Sequence, residues 1–160
     1  MKKFELTSEF VTNIFGTKLF RIRALIEFGG VKAGDLGGYI EKEENLDHDG
    51  NAWVYGDAWV DGNARVTGNA RVTGNAWVSG NAWVDGNADY ATVKGFGRYN
   101  RNTTFFRCKD GKVRVACGCF FGDMEEFRAI VKKTHGDGKL AKEYLAIADL
   151  MEMHFAEEQG

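Results

Sequence analysis

The chain has 160 residues, 44% of them hydrophobic, with a formal net charge of −2. That length supports one compact unit or two small ones, and the near-neutral charge gives no global attraction to duplex nucleic acid or to an anionic membrane. Three Cys in no framework spacing, and a start at Met1-Lys2-Lys3-Phe4-Glu5 that leads into no long apolar run, point to a reduced cytoplasmic setting without a signal peptide or membrane span.

Residues 1 to 34 read as a β-hairpin cap. Phe4 and Leu6, then Phe20, Ile22 and Ala24, alternate with polar neighbours on either side of the turn signal Phe15-Gly16-Thr17. Arg21 and Arg23 share the opposite face of the second strand and are expected to be solvated. The glycine-rich stretch from Gly29 to Gly38 lacks the Gly-Lys-Ser/Thr of a phosphate loop. It is expected to thread the hairpin into the next unit.

Residues 35 to 90 form that unit, and its core is a six-residue repeat. From Gly50 the chain reads GNAWVY, GDAWVD, GNARVT, GNARVT, GNAWVS, GNAWVD and GNADYA. In each Ala-x-Val the first and third side chains point to one face of a short strand and the middle one to the other. Gly-Asn punctuates each strand, since both residues tolerate the backbone of a sharp corner. Three such hexads close a coil of about 18 residues, a parallel β-helix with Ala and Val inside. Stacked coils would also allow ladders of Asn side chains. Stepping back by six from Ala52 gives Leu46 and Ile40, and from Val54 gives His48, Lys42 and Leu36. Residues 35 to 50 therefore read as an irregular first turn closing the open end.

The middle position of Ala-x-Val carries all four tryptophans, Trp53, Trp59, Trp77 and Trp83, and two arginines, Arg65 and Arg71. A coil of about 18 residues places Trp59 beside Trp77, Trp53 beside Arg71 and Arg65 beside Trp83, on three outward columns. Stacked indoles and Arg-on-Trp contacts are expected there. So much outward aromatic surface calls for cover by another subunit, by the flanks or by a flat-ringed ligand. These six residues are the candidate ligand or subunit seam, and Trp with Arg suits a planar anion such as a nucleotide.

Residues 91 to 160 read as a β-hairpin followed by two helices. Asp110-Gly111 between Thr104–Lys109 and Lys112–Cys119 is read as a two-residue turn. In that register Cys108, Cys117 and Cys119 share one face with Phe106, Val113 and Val115, and Cys108 lies roughly 13 Å from Cys117. Buried thiols are the main reading, and Cys117 and Cys119 gripping a metal with His135 the alternative. Asp123 caps a first helix with Glu126, and Phe127, Ile130 and Val131 are its apolar stripe. Gly136 ends it after His135. A second helix from about Gly138 to Phe155 buries Leu140, Tyr144, Ile147, Met151 and Phe155. The helical pair is expected to cap the β-helix or a neighbour.

The repeat spacing resembles the hexapeptide-repeat, left-handed β-helix superfamily, although there Gly directly follows the aliphatic residue and here it comes one later. Further blocks are Leu19-Phe20-Arg21-Ile22-Arg23-Ala24-Leu25, Ala33-Gly34-Asp35-Leu36-Gly37-Gly38-Tyr39-Ile40-Glu41, Glu44-Asn45-Leu46, Cys117-Gly118-Cys119-Phe120 and Thr134-His135-Gly136-Asp137. With the repeats they make the whole chain similar to phage and prophage proteins carrying a YdcK-like GNAxVx repeat. The resemblance implies a mobile-element origin, a bacterial host cytoplasm and a homo-oligomer, a trimer by the habit of the superfamily.

The fold class expected is thus mainly β: a short left-handed hexapeptide β-helix between an N-terminal hairpin and a C-terminal hairpin with two helices. The function expected is that of a non-enzymatic phage accessory protein. It would bind a host-derived molecule, sequestering a nucleotide immune signal or blocking a host defence protein. An acyltransferase-like hexapeptide enzyme and a purely structural scaffold are the alternatives. The sequence assigns no catalytic residue, no metal site and no cofactor. His48 is the one candidate base near the coil, and it reads as a capping side chain. A three-histidine zinc centre is disfavoured, because His135 and His154 fall in the helices.

Overall fold

A computed structural model describes residues 2–99, 101–117 and 120–156. The fold is mainly β. It begins with strands β1 (Phe4–Thr12), β2 (Lys18–Ala24) and β3 (Leu36–Ile40). Six two-residue strands follow: β4 (Trp53–Val54), β5 (Trp59–Val60), β6 (Arg65–Val66), β7 (Arg71–Val72), β8 (Trp77–Val78) and β9 (Trp83–Val84). Strands β10 (Tyr90–Phe96), β11 (Arg101–Arg107), β12 (Val113–Cys117) and β13 (Phe120–Asp123) lead to helices α1 (Met124–His135) and α2 (Lys139–Phe155).

The repeats stack in parallel, each onto the one three hexads later. Trp53 pairs with Arg71, Trp59 with Trp77 and Arg65 with Trp83. These are three separate ladders, not one closed sheet. Each rung is held by backbone bonds such as Trp59 N–H to Ala76 C=O at 2.8 Å and Asp61 N–H to Val78 C=O at 3.0 Å. Between strands the chain turns in four residues, as where Ala70 N–H reaches Thr67 C=O at 3.2 Å. Gly56, Gly62, Gly68, Gly74 and Gly80 take the left-handed backbone that this turn needs, at φ 58 to 66°. The Ala and Val columns are buried at 0 to 2% exposure. Each buried Val contributes about 1.5–3 kcal/mol of apolar transfer, so the repeat builds its core one residue at a time. The Asn side chains at the corners are exposed and form no ladder with one another among the described residues, because the backbone bonds already span the coils there.

The first turn departs from the expected register. Ile40 pairs with Val60 and Tyr39 with Trp59, and Leu46 bridges to Val66. Ile40 and Leu46 therefore occupy the Val column, not the Ala column reached by stepping back in sixes. The one-turn 3₁₀ helix Glu43–Asn45 lengthens this coil. Gly37 and Gly38 lie flat across its edge: an added Cβ would come within 2.6 Å of the Val54 and Ala58 carbonyls, respectively.

Side chains close both open edges of the stack. At the leading edge Lys3 Nζ donates to Ala52 C=O at 2.7 Å, and Asn45 Nδ2 to Ala64 C=O at 2.9 Å. At the trailing edge Arg71 N–H donates to Asn87 Oδ1 at 2.8 Å, Thr73 N–H to the Tyr90 hydroxyl at 3.2 Å and Trp77 N–H to Thr104 Oγ1 at 3.0 Å. Asp89 Oδ2 accepts from Asp85 and Gly86 N–H, both at 3.0 Å. Satisfying the rim in this way blunts a sheet edge that would otherwise recruit another chain.

The N-terminal hairpin forms as expected, its turn held by Asn13 Oδ1 accepting from Phe15 and Thr17 N–H. Arg21, expected in solvent, lies instead between the hairpin and the coil. It stacks on Tyr39 at 4.3 Å, donates to Gly37 C=O at 2.7 Å and pairs with Glu9. Arg23 does remain half exposed, paired with Glu5.

The C-terminal unit is a four-stranded antiparallel sheet, β10-β11-β12-β13, where the sequence predicts a two-stranded hairpin. Its central hairpin is also one residue out of the expected register. Arg107 faces Val113 and Thr103 faces Cys117. Gly111 N–H donates to Cys108 C=O and Cys108 N–H to Lys112 C=O, enclosing a three-residue loop with Gly111 at φ 83°. A slip of one residue moves side chains to the other face. Phe106, Cys108 and Ala116 join the coil core, while Phe105, Val115 and Cys117 lie under the helices. The helices thus cover the far face of this sheet and do not cap the coil directly. Asp123 caps α1 by accepting from Glu126 N–H at 2.8 Å, and Gly136 ends it at φ 62°.

Candidate functional site

The three outward columns meet three different fates. In the first, Trp53 is 1% exposed. It points out of its coil but is roofed by the N-terminal segment: Phe28 meets it edge-on at 5.2 Å and Phe4 at 6.4 Å. Its partner Arg71 is exposed, with its guanidinium 3.5 Å from the Gly29 carbonyl. The free Trp–Arg surface expected on this face is absent because Phe4 and Phe28 of the N-terminal segment fold over the indole.

In the second column Trp59 and Trp77 meet edge-to-face at 6.1 Å with planes 76° apart, not as stacked rings. The hairpin tip partly covers them, Phe15 lying 6.5 Å from Trp77. Trp77 Nε1 and Asn13 Nδ2 both donate to Asp61 Oδ2 at 2.9 Å. This ties tip to coil through a carboxylate that is 3% exposed.

The third column stays open. Trp83 is 45% exposed beside exposed Arg65. The indole edge is fixed by Nε1 donating to Thr67 Oγ1 at 3.3 Å, and Thr67 Oγ1 in turn donates to Asp85 Oδ1 at 2.7 Å. A groove of 720 Å³ runs along this face, with Arg65, Trp83, Thr67, Asn63, Asn81 and Lys109 on its walls. Asp47 and Asp85 line it as well. No arginine stacks on a tryptophan among the described residues. The cation–π contacts join Lys3 to Phe28, Lys18 to Phe10, Arg21 to Tyr39, Arg101 to Tyr99 and Arg107 to Phe155. The guanidinium of Arg65 is therefore not spent on its neighbouring ring. Lys109, which sequence reading passed over, reaches the groove because its N–H bonds the Asn81 carbonyl at 2.9 Å. Nothing local in the sequence announces that contact.

His48 Nδ1 accepts from Lys3 N–H at 3.0 Å, so Nε2 carries the proton toward Glu43 Oε1 at 2.7 Å, and the ring stacks on Phe4 at 4.2 Å. The Lys2 ammonium and the His48 bond hold the Glu43 carboxyl below its ordinary value, the His48 bond being the larger cause. No three His, Cys, Asp or Glu side chains gather as a metal site among the described residues. Cys117 Sγ instead lies 3.1 Å from Thr103 Oγ1, and Cys119 falls outside the described residues. No helix is long and apolar enough to cross a membrane among the described residues. No protein-family model matches the chain, and no curated protein matches it.

Proposed function

We propose that this is a non-catalytic binding protein whose ligand, a planar anion of the nucleotide type, lies in the Arg65–Trp83 groove. One observation carries the reading: of three Trp-bearing columns, the flanks roof the first, partly cover the second and leave open the third, where an indole face and a guanidinium are exposed and a lysine joins the lining. An indole face supports a base, and Arg65 with Lys109 supplies charge for phosphate. The engaged ring of His48 argues against the acyltransferase alternative, which needs a free base.

Within the same proposal, the three ladders are the faces of a left-handed hexapeptide β-helix, and the chain assembles as a homo-oligomer, a trimer first. The resemblance of the GNAxVx blocks to those of phage proteins supports the setting proposed: a counter-defence protein in the bacterial cytoplasm that sequesters a nucleotide immune signal or blocks a defence protein. Calorimetric titration with cyclic dinucleotides and cyclic ADP-ribose isomers tests the ligand, with Trp83→Ala and Arg65→Ala as controls. No heat with any nucleotide ends the sequestration reading.

The scaffold alternative has its own observation. Ile14 and Phe15 at the hairpin tip are 59% and 68% exposed next to the Trp59–Trp77 column. If Phe15→Ser dissociates an oligomer while nucleotides give no heat, assembly is the better account.

A further inference from the structure

The C-terminal unit holds a second recess, away from the groove. It has a volume of 240 Å³ between the sheet and α1, with Phe120, Phe127, Ile130, Val131 and Tyr144 among its walls. Thr134, Cys117 and His135 add a few polar atoms, and Arg98, Tyr99 and Arg101 complete the lining, with the Arg101 guanidinium 5.2 Å from the Tyr99 ring. No Asp or Glu lines it. Neither arginine forms an ion pair among the described residues. The walls are also fixed in place. Tyr144 donates to the Phe96 carbonyl at 3.1 Å, stacks with His135 at 5.9 Å and meets Phe127 edge-on at 5.8 Å. Burial pushes the Tyr144 phenol up to about 12, so it remains a neutral donor and brings no negative charge.

From this arrangement we infer a binding site for a small aromatic carboxylate, its ring in the apolar slot and its carboxylate on Arg98 and Arg101. The size sets the class. Sites for drug-sized ligands run to about 300–1,000 Å³, and this recess is smaller, which suits one ring. The charge sets the polarity: two guanidiniums without an ion pair among the described residues, in a lining without Asp or Glu, favour an anion over a neutral or cationic molecule. A mononucleotide is too large for it, so the site is independent of the Arg65–Trp83 groove.

The test uses 4-fluorophenylacetate and its uncharged counterpart 2-(4-fluorophenyl)ethanol, followed by fluorine NMR on the full chain. The carboxylate is expected to bind roughly tenfold more tightly than the alcohol. The double variant Arg98→Gln, Arg101→Gln should erase that preference while leaving the alcohol unchanged. Ile130→Trp, which fills the slot, should abolish both, and Trp83→Ala should alter neither. Failure of both probes to bind the wild-type protein overturns the site. Equal affinity for acid and alcohol overturns the assignment of an anion. Loss of binding in Trp83→Ala would place the probe in the other groove and overturn the inference too.

Discussion

The ammonium of Lys3 lies 2.7 Å from the carbonyl oxygen of Ala52, so a residue just ahead of β1 closes the leading edge of the first column. Lys3 is 1% exposed, and a second carbonyl, that of Gly50, accepts from it at 3.3 Å. Replacing it by Met is expected to leave two carbonyls unpaired and to destabilise the fold by about 1–3 kcal/mol in urea melts.

The same lysine gives a pH dependence of known sign. Burial lowers its pKa from 10.5 to about 8, against the raising effect of Asp47 and Asp49. Between those two values the unfolded chain binds the proton and the folded chain does not, so stability due to Lys3 rises with pH. Below about 8 the penalty is fully present. Wild-type stability measured relative to Lys3→Met is therefore expected to be flat up to pH 8 and to climb from 8 to 10.5. A difference that falls over that range would contradict the burial of a charged ammonium.

Overpacking checks the coil interior. Ala70 is 0% exposed and sits beside a corner. Ala70→Leu is expected to cost about 1–3 kcal/mol, read as a lower thermal midpoint. The same change at exposed Asn69 should be nearly silent.

Tryptophan emission separates the columns. Trp83 is 45% exposed and Trp53 1%. Iodide should quench the wild type through Trp83 chiefly, and Trp83→Phe should remove most of that quenching. Trp53→Phe should leave the quenching and lower stability, since its ring is locked between Phe4 and Phe28.

Thiol labelling reports the hairpin register. Cys108 is 3% exposed in the coil core, and burial pushes its thiol up despite the opposing effect of Arg114. In a Cys117→Ser, Cys119→Ser variant, Cys108 is expected to resist an aromatic disulfide reagent until denaturant is added. Rapid labelling of the native variant would mean that Cys108 faces outward.

The stacking of hexads was legible from sequence because its causes are local and repeated. Gly at each corner, and Ala and Val two residues apart, leave little choice of face, and the 18-residue pairing of Trp59 with Trp77 follows. The first turn was less legible, since the helical turn Glu43–Asn45 carries no hexad signal and shifts Ile40 and Leu46 into the Val column. The dipeptide Asp110-Gly111 marks the turn but not its loop length: two- and three-residue loops share it, and only pairing across the strands decides between them.

The sequence by itself determined the period, the inner face of every repeat and the caps of the first helix, because each depends on neighbours within a few residues. Only the tertiary structure decided which tryptophans are free. Whether Trp53 is roofed and Trp83 bare depends on where the distant hairpin and the Cys108–Lys112 loop come to rest. That choice is made by long-range burial, which leaves no mark in the repeat itself.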